Sequence, residues 1–197
     1  MVMSSKLSAT YQSAVDASKS FNGKVRVIDT KNACLGERIL IDYAQSLIAE
    51  GKEADEIERE LNKKKGKIKV LALLNTLKYL QKGGRISYMT AFAGGLLNIK
   101  PVVAVENGEV KLVGKAVGSK KGNNLLVQLI EKCGGIDFDM PYAVGYSGLS
   151  DEVLKKYLSD SAYIWQSKTE SVPSYQIGST IGAHVGPGAI AVAFFAK

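Results

Sequence analysis

The chain carries a single histidine, His184, set in the carboxy-terminal run GSTIGAHVGPGAIAVAFFAK from Gly178 to Lys197. Ala183-His184-Val185-Gly186-Pro187-Gly188 reads as a tight turn. Its glycines can take positive φ and bring bare backbone N–H groups to one point, where an anion binds. An imidazole beside that point adds a polarised donor. Two further polar stretches could serve the same anion. In Ser4-Ser5-Lys6-Leu7-Ser8-Ala9-Thr10-Tyr11, hydroxyls stand at an expected helix start, where unpaired N–H groups and the positive end of the helix dipole seat a carboxylate or phosphate. In Tyr79-Leu80-Gln81-Lys82-Gly83-Gly84-Arg85-Ile86-Ser87, a diglycine turn projects Arg85. A serine pair, an arginine and a histidine together make a seat for one small anionic head group.

Composition narrows the chemistry around such a seat. With one histidine and two widely separated cysteines, Cys34 and Cys133, no protein metal site is expected. Both cysteines read as small, largely buried residues of a reducing compartment. At 197 residues, 46% hydrophobic and 23% charged, the chain can bury a substantial core. No stretch reaches the roughly 18 apolar residues of a membrane span, and the opening residues do not resemble a signal peptide, so a cytoplasmic protein without membrane insertion is expected. The net charge is +7. Its lysine runs, Lys63-Lys64-Lys65-Gly66-Lys67 and Lys115 to Lys121, lack interleaved aromatics or arginines. They suit a solvated face or an acidic protein partner better than nucleic acid. There is no Walker A pattern, no glycine-rich nucleotide loop ahead of a helix and no magnesium-binding carboxylate pair, so no nucleotide site is expected in this chain.

The elements that must position these groups alternate between helix and strand. Ser4 or Ser5 is expected to cap a helix with Leu7, Tyr11, Ala14 and Val15 on one face. Val25 to Ile28 reads as a strand, Gly36 to Glu50 as an amphipathic helix closed by Gly51, and Ala54 to Lys64 as a charged, peripheral helix. Ile68 to Leu74 is a near-continuous apolar strand, followed by a short helix from Thr76 to Gln81. Asn107-Gly108, between Val102–Val105 and Glu109–Val113, predicts a type I′ hairpin. A helix from Asn124 to Cys133, a strand from Tyr142 to Tyr146, a helix from Asp151 to Leu158, and strands at Ala162–Gln166 and Ala189–Phe195 complete the reading. The result is an α/β chain with a boundary near Gly66: residues 1–66 as an α/β segment with a parallel sheet, residues 67–197 as an α+β segment with a mixed sheet.

SSKLSATYQSA, LKYLQKGGRIS, LLNIKPVV and IGAHVGPGAIAVAF, in this order, resemble the DegV family of bacterial fatty-acid-binding proteins over essentially the whole chain. The combination of KGGRIS with HVGPGA carries most of that specificity. The resemblance implies a two-domain α/β fold that holds a long-chain fatty acid in a buried tunnel. It also implies a lipid-binding subunit with no catalytic residue, no metal and no cofactor, whose bound acyl carboxylate is presented to a fatty acid kinase, in the service of phospholipid metabolism. Carried over residue by residue, the carboxylate ligands are Ser5 or Ser4 and His184, with Arg85 near the ligand and the kinase-facing surface. Two departures stand out. Ala9 replaces a family glycine. The chain also begins inside the family's first domain, so a segment that supplies a threonine ligand is expected to be missing. The tail is expected to lie against Ala91 to Leu97, Ile99 and the closing strand. The competing reading is a subunit that binds a small, dihydroxyacetone-like carbonyl substrate for a kinase, because DegV resembles that fold; the apolar richness of Ala91 to Ile99 favours a lipid.

The chemistry agrees with the resemblance. A fatty acid at neutral pH is already a carboxylate, so phosphorylating it requires no general base, only positioning and partial charge neutralisation.

Overall fold

Two strands set the architecture through their alternation. In β1 (Ile68–Leu73), Ile68, Val70 and Ala72 belong to one buried cluster and Leu71 and Leu73 to another; in β6 (Ile190–Phe195), Ala191, Ala193 and Phe195 separate from Ile190, Val192 and Phe194 in the same way. Side chains of a strand point alternately to opposite faces, so both central strands are covered on both sides. The computed structural model describes residues 1–86 and 98–197.

Ahead of β1 lie three helices, α1 (Thr10–Ser18), α2 (Leu35–Ala49) and α3 (Ala54–Lys64); after it come α4 (Lys78–Lys82), β2 (Ile99–Glu106), β3 (Glu109–Val117) and α5 (Ser119–Lys132). Then follow β4 (Ala143–Tyr146), α6 (Glu152–Asp160), α7 (Ala162–Trp165), β5 (Ser174–Gln176), α8 (Ser179–Val185) and β6. The strands form one six-stranded sheet in the order β3-β2-β1-β6-β4-β5. All pairings are antiparallel except β4 with β5, which makes the sheet mixed.

The hairpin forms as its sequence predicts, with Asn107 at φ 52° and Gly108 at φ 85°. The buried residues of α5, α6 and α7, among them Leu126, Ile130, Leu154, Tyr157 and Trp165, cover one face of the sheet. On the other face Leu35, Ile39, Leu40 and Ala44 of α2 pack with Val70, Ala191, Ala193 and Phe195, so residues before and after Gly66 share one core.

Four expectations are corrected. Val25–Ile28 forms no strand, so residues 1–66 hold no parallel sheet, only a single parallel bridge from Val2 to Asp29. Ala162–Gln166 is not a strand, because residues 162–165 form the short helix α7, where Trp165 Nε1 donates to Ser161 Oγ at 3.0 Å. The first helix begins at Thr10, not at Ser4 or Ser5. The Ser4 main chain is taken by the segment beside it, its N–H donating to Asn32 O at 2.7 Å. Finally, His184 lies in the last turn of α8 and not in a loop. Gly186 at φ 75° and Gly188 at φ 74° terminate that helix instead.

Candidate functional site

The face of the sheet beneath α2 carries unusually small side chains. Strand register places Ala191, Ala72 and Val103 side by side across β6, β1 and β2. Such a row cannot fill the space up to the covering segments. Above it opens a cavity of about 160 Å³, counted as room for the centres of water molecules. One water needs only about 10–15 Å³ on that measure. Val70, Ala72, Val103, Ala189 and Ala191 form its floor, and Met3, Leu7, Leu80, Ile177, Ile181 and Val185 its walls. An apolar enclosure of this kind favours an apolar occupant over water.

Polar groups gather on the wall made by α4, α8 and the amino-terminal turn. His184, Arg85, Ser8 and Thr180 all line the cavity. Thr180 and His184 stand one helical turn apart on α8, with Ile181 and Val185 on the same side. Gly83 lies directly under the imidazole: a Cβ there would collide with His184 Nδ1 and Cε1. A Cβ on Gly186 would strike the Tyr79 ring in the same way. The glycines of the KGGRIS and HVGPGA stretches therefore let α4 and α8 approach each other. Arg85 completes the rim. Its Nε donates to Leu7 O at 3.3 Å and its Nη1 to Gly83 O at 2.5 Å, tying the amino-terminal turn to the diglycine turn. Among the described residues no carboxylate pairs with Arg85, which leaves its charge available to a bound anion.

The serine pair is placed differently from the arginine and the histidine. Ser4 is fully buried and its Oγ donates to Gly108 O at 2.8 Å. Ser5 is exposed; its Oγ donates to Asp29 Oδ2 at 2.6 Å and its N–H to Asp29 Oδ1 at 3.3 Å. The structure thus brings Arg85 and His184 to the cavity wall, while Ser4 and Ser5 are not among its lining residues. Ser8 and Thr180 were not singled out from the sequence. The i, i+4 spacing of Thr180 to His184 would have identified one of them, and the Ser8 hydroxyl stands within the quoted SSKLSATY stretch. Ala91 to Leu97, expected to line the tail, and Ser87 lie outside the described residues. Ile99 opens β2 and is not part of the cavity wall. Cys34 is, with its backbone at φ 55°. Burial pushes its thiol pKa up, which suits a packing role.

Asp29 anchors the Ser5 turn. Burial alone would raise its pKa, but hydrogen bonds from the Ser5 hydroxyl and from the Lys31 and Ser5 N–H groups, with the Lys65 charge, hold it below the ordinary value of 3.8. A carboxyl lowered in the folded state stabilises fully above its unfolded pKa, and that contribution is lost as pH falls through the folded value. Acidification below about pH 4 is expected to loosen this turn. In Asp29→Asn, the Ser5 and Lys31 amides should exchange faster at neutral pH, and the acid-dependent part of that exchange should flatten. Hydrogen exchange followed from about pH 6 to pH 3 checks both.

A mixed sheet flanked by helices, with an apolar cavity on one face and Arg85, His184, Ser8 and Thr180 along its wall, defines the class of this chain as an α/β protein with an internal apolar cavity. The chain belongs to the DegV family: the model of that family, described as uncharacterised, matches residues 1–197. A DegV domain-containing protein of Caldanaerobacter subterraneus subsp. tengcongensis is 32% identical over 200 residues, covering 100% of this chain and 70% of the relative. One from Clostridium perfringens is 32% identical over 202 residues, covering 98% of this chain and 68% of the relative. Among solved structures, the fold is similar to a DegV family protein from Eubacterium eligens loaded with heptadecanoic acid, at TM-score 0.84 and 26% identity, covering 99% of this chain and 71% of that one. It is also similar to a fatty-acid-binding DegV family protein from Thermus thermophilus, at TM-score 0.85 and 28% identity, covering 99% and 69%.

Proposed function

We propose that this chain binds a long-chain fatty acid, tail in the apolar cavity and carboxylate at the Arg85–His184 rim, and presents that carboxylate to a separate fatty acid kinase that makes acyl phosphate. The observation that carries the reading is the junction of an apolar floor with a rim whose arginine has no acidic partner among the described residues. Arg85 supplies charge, and the His184 imidazole and the Ser8 hydroxyl supply directed donors. A contact from the serine pair completes the seat when Ser5 exchanges Asp29, or Ser4 exchanges Gly108, for the ligand. Each buried methylene contributes about 0.8 kcal/mol. The tail therefore dominates affinity while the rim fixes orientation, as a phosphoryl acceptor requires.

Solvent extraction of the purified protein followed by mass spectrometry tests the binding step. A long-chain acyl group in the extract, or stoichiometric uptake of added palmitate, is the expected result. A small carbonyl compound instead, with no uptake of palmitate, would reject it in favour of the dihydroxyacetone-like reading. For the second step, a fatty acid kinase with ATP should form acyl phosphate only when this protein supplies the acid.

A further inference from the structure

Ser147 follows β4 directly, is 2% exposed and does not line the cavity. Every polar group it owns is nevertheless directed at the turn that ends α8. Its Oγ donates to Gly186 O and accepts from Ala189 N at 2.9 Å; its N–H donates to Ala189 O at 3.0 Å, and its carbonyl accepts from Gly188 N at 2.8 Å. A hydroxyl is the smallest side chain that donates and accepts at once, and both functions are used here. Gly186 N in turn donates to Gly182 O at 2.8 Å, which closes the helical turn that contains His184. From the exposed side, Asn75 Nδ2 donates to Pro187 O at 2.9 Å, and Lys100 Nζ holds Asn75 Oδ1 at 2.6 Å. The turn is gripped from the core by Ser147 and from the surface by Asn75.

We propose that Ser147 is the positioning residue for His184: by fixing Gly186 and Ala189 it sets where the last turn of α8 ends, and so where the imidazole points over Gly83. This rests on the reading of His184 as a carboxylate donor. Removing the hydroxyl leaves Gly186 O and Ala189 N buried without their partner, and the turn must move to find others. The consequence falls mainly on the head-group contact, because Ser147 does not itself line the cavity and holds its one floor residue, Ala189, only through main-chain groups.

The sole histidine makes the test direct, since a histidine-labelled chain gives imidazole signals from His184 alone. Wild type, Ser147→Ala, Ser147→Thr and Asn75→Ala are compared for binding of palmitate and of hexadecanol, which has the same tail and no carboxylate. Ser147→Ala should weaken palmitate by about 5- to 10-fold while hexadecanol stays within about twofold. Its His184 ¹⁵N signals should shift or broaden before any ligand is added. Ser147→Thr, which keeps the oxygen, should restore both. Equal losses for acid and alcohol with unmoved His184 signals would overturn the proposal and make Ser147 an ordinary packing residue. If Ser147→Ala does not fold, Asn75→Ala on the exposed side of the same turn decides: displaced His184 signals support the proposal and unchanged ones overturn it. A wild-type chain that binds neither ligand would reject the fatty-acid reading, and the His184 signals of the unliganded variants would still settle the positioning role.

Discussion

Ala191→Phe should leave the protein folded and nearly abolish binding of long acyl chains. Ala191 sits on β6 beside Ala72 in register, and both lie on the cavity floor. Ala191 also packs near α2, but a phenyl ring there can turn into the cavity that Ala191 lines, so the usual penalty for overpacking, about 1–3 kcal/mol, should be only partly incurred. The ring occupies the volume of about four methylenes. Displacing that much tail removes about 3 kcal/mol of burial, on the order of a hundredfold in Kd. Chains shorter by a few carbons should lose far less, so the preferred acyl length should fall. Isothermal titration with a ladder of saturated acids, beside a thermal melt, measures both. A uniform loss across all lengths, or a collapse of the melting transition, would show that the floor of the cavity is not where the tail lies.

The same row explains what a sequence can and cannot reveal about this site. Asn107-Gly108 determined its hairpin because both residues accept positive φ within a two-residue loop, a local property. The helix from Ala54 to Lys64 was legible to the residue because its acidic first turn and basic last turn agree with the helix dipole. Ser174–Gln176 offers no comparable signal: three residues become a strand only because β4 lies beside them. Ala162–Gln166 has the composition of a strand, and a helical turn anchored through Ser161 and Trp165 overrode it. At the site, His184 and Arg85 announced themselves by residue type. The cavity did not, because it arises from alanines and a valine that look unremarkable until the register of three strands aligns them. The serine pair misled in one respect for the same reason: hydroxyls at a supposed helix start are in fact bonded to Gly108 and Asp29, distant partners that no local pattern reveals.

Gly83→Ala should damage the head-group site almost as much as His184→Ala while costing the fold little. The added methyl would overlap His184 Nδ1 and Cε1, whereas Gly83 itself has an ordinary negative φ of −77° and gains no backbone strain from a side chain. An imidazole is the far end of a flexible side chain, so it can swing aside; Tyr79 O, 3.3 Å from the new Cβ, needs only a small adjustment. The price is therefore the hydrogen bond to the carboxylate, about 1.5–3 kcal/mol when one partner is charged, or roughly 10- to 150-fold. His184→Ala should lose the same amount directly. Because both changes remove one interaction, they should not add: Gly83→Ala/His184→Ala should bind palmitate about as well as His184→Ala alone. Phosphorylation of the bound acid by a kinase should fall further than affinity in all three, since orientation suffers more than tail burial. Gly186→Ala provides the contrast. There φ is 75° and the obstacle is the Tyr79 ring, so backbone strain and lost helix packing should appear in the melting temperature as well as in binding. Additive losses in the double variant, or a Gly83→Ala protein that binds and presents palmitate normally, would place the carboxylate somewhere other than at the Arg85–His184 rim.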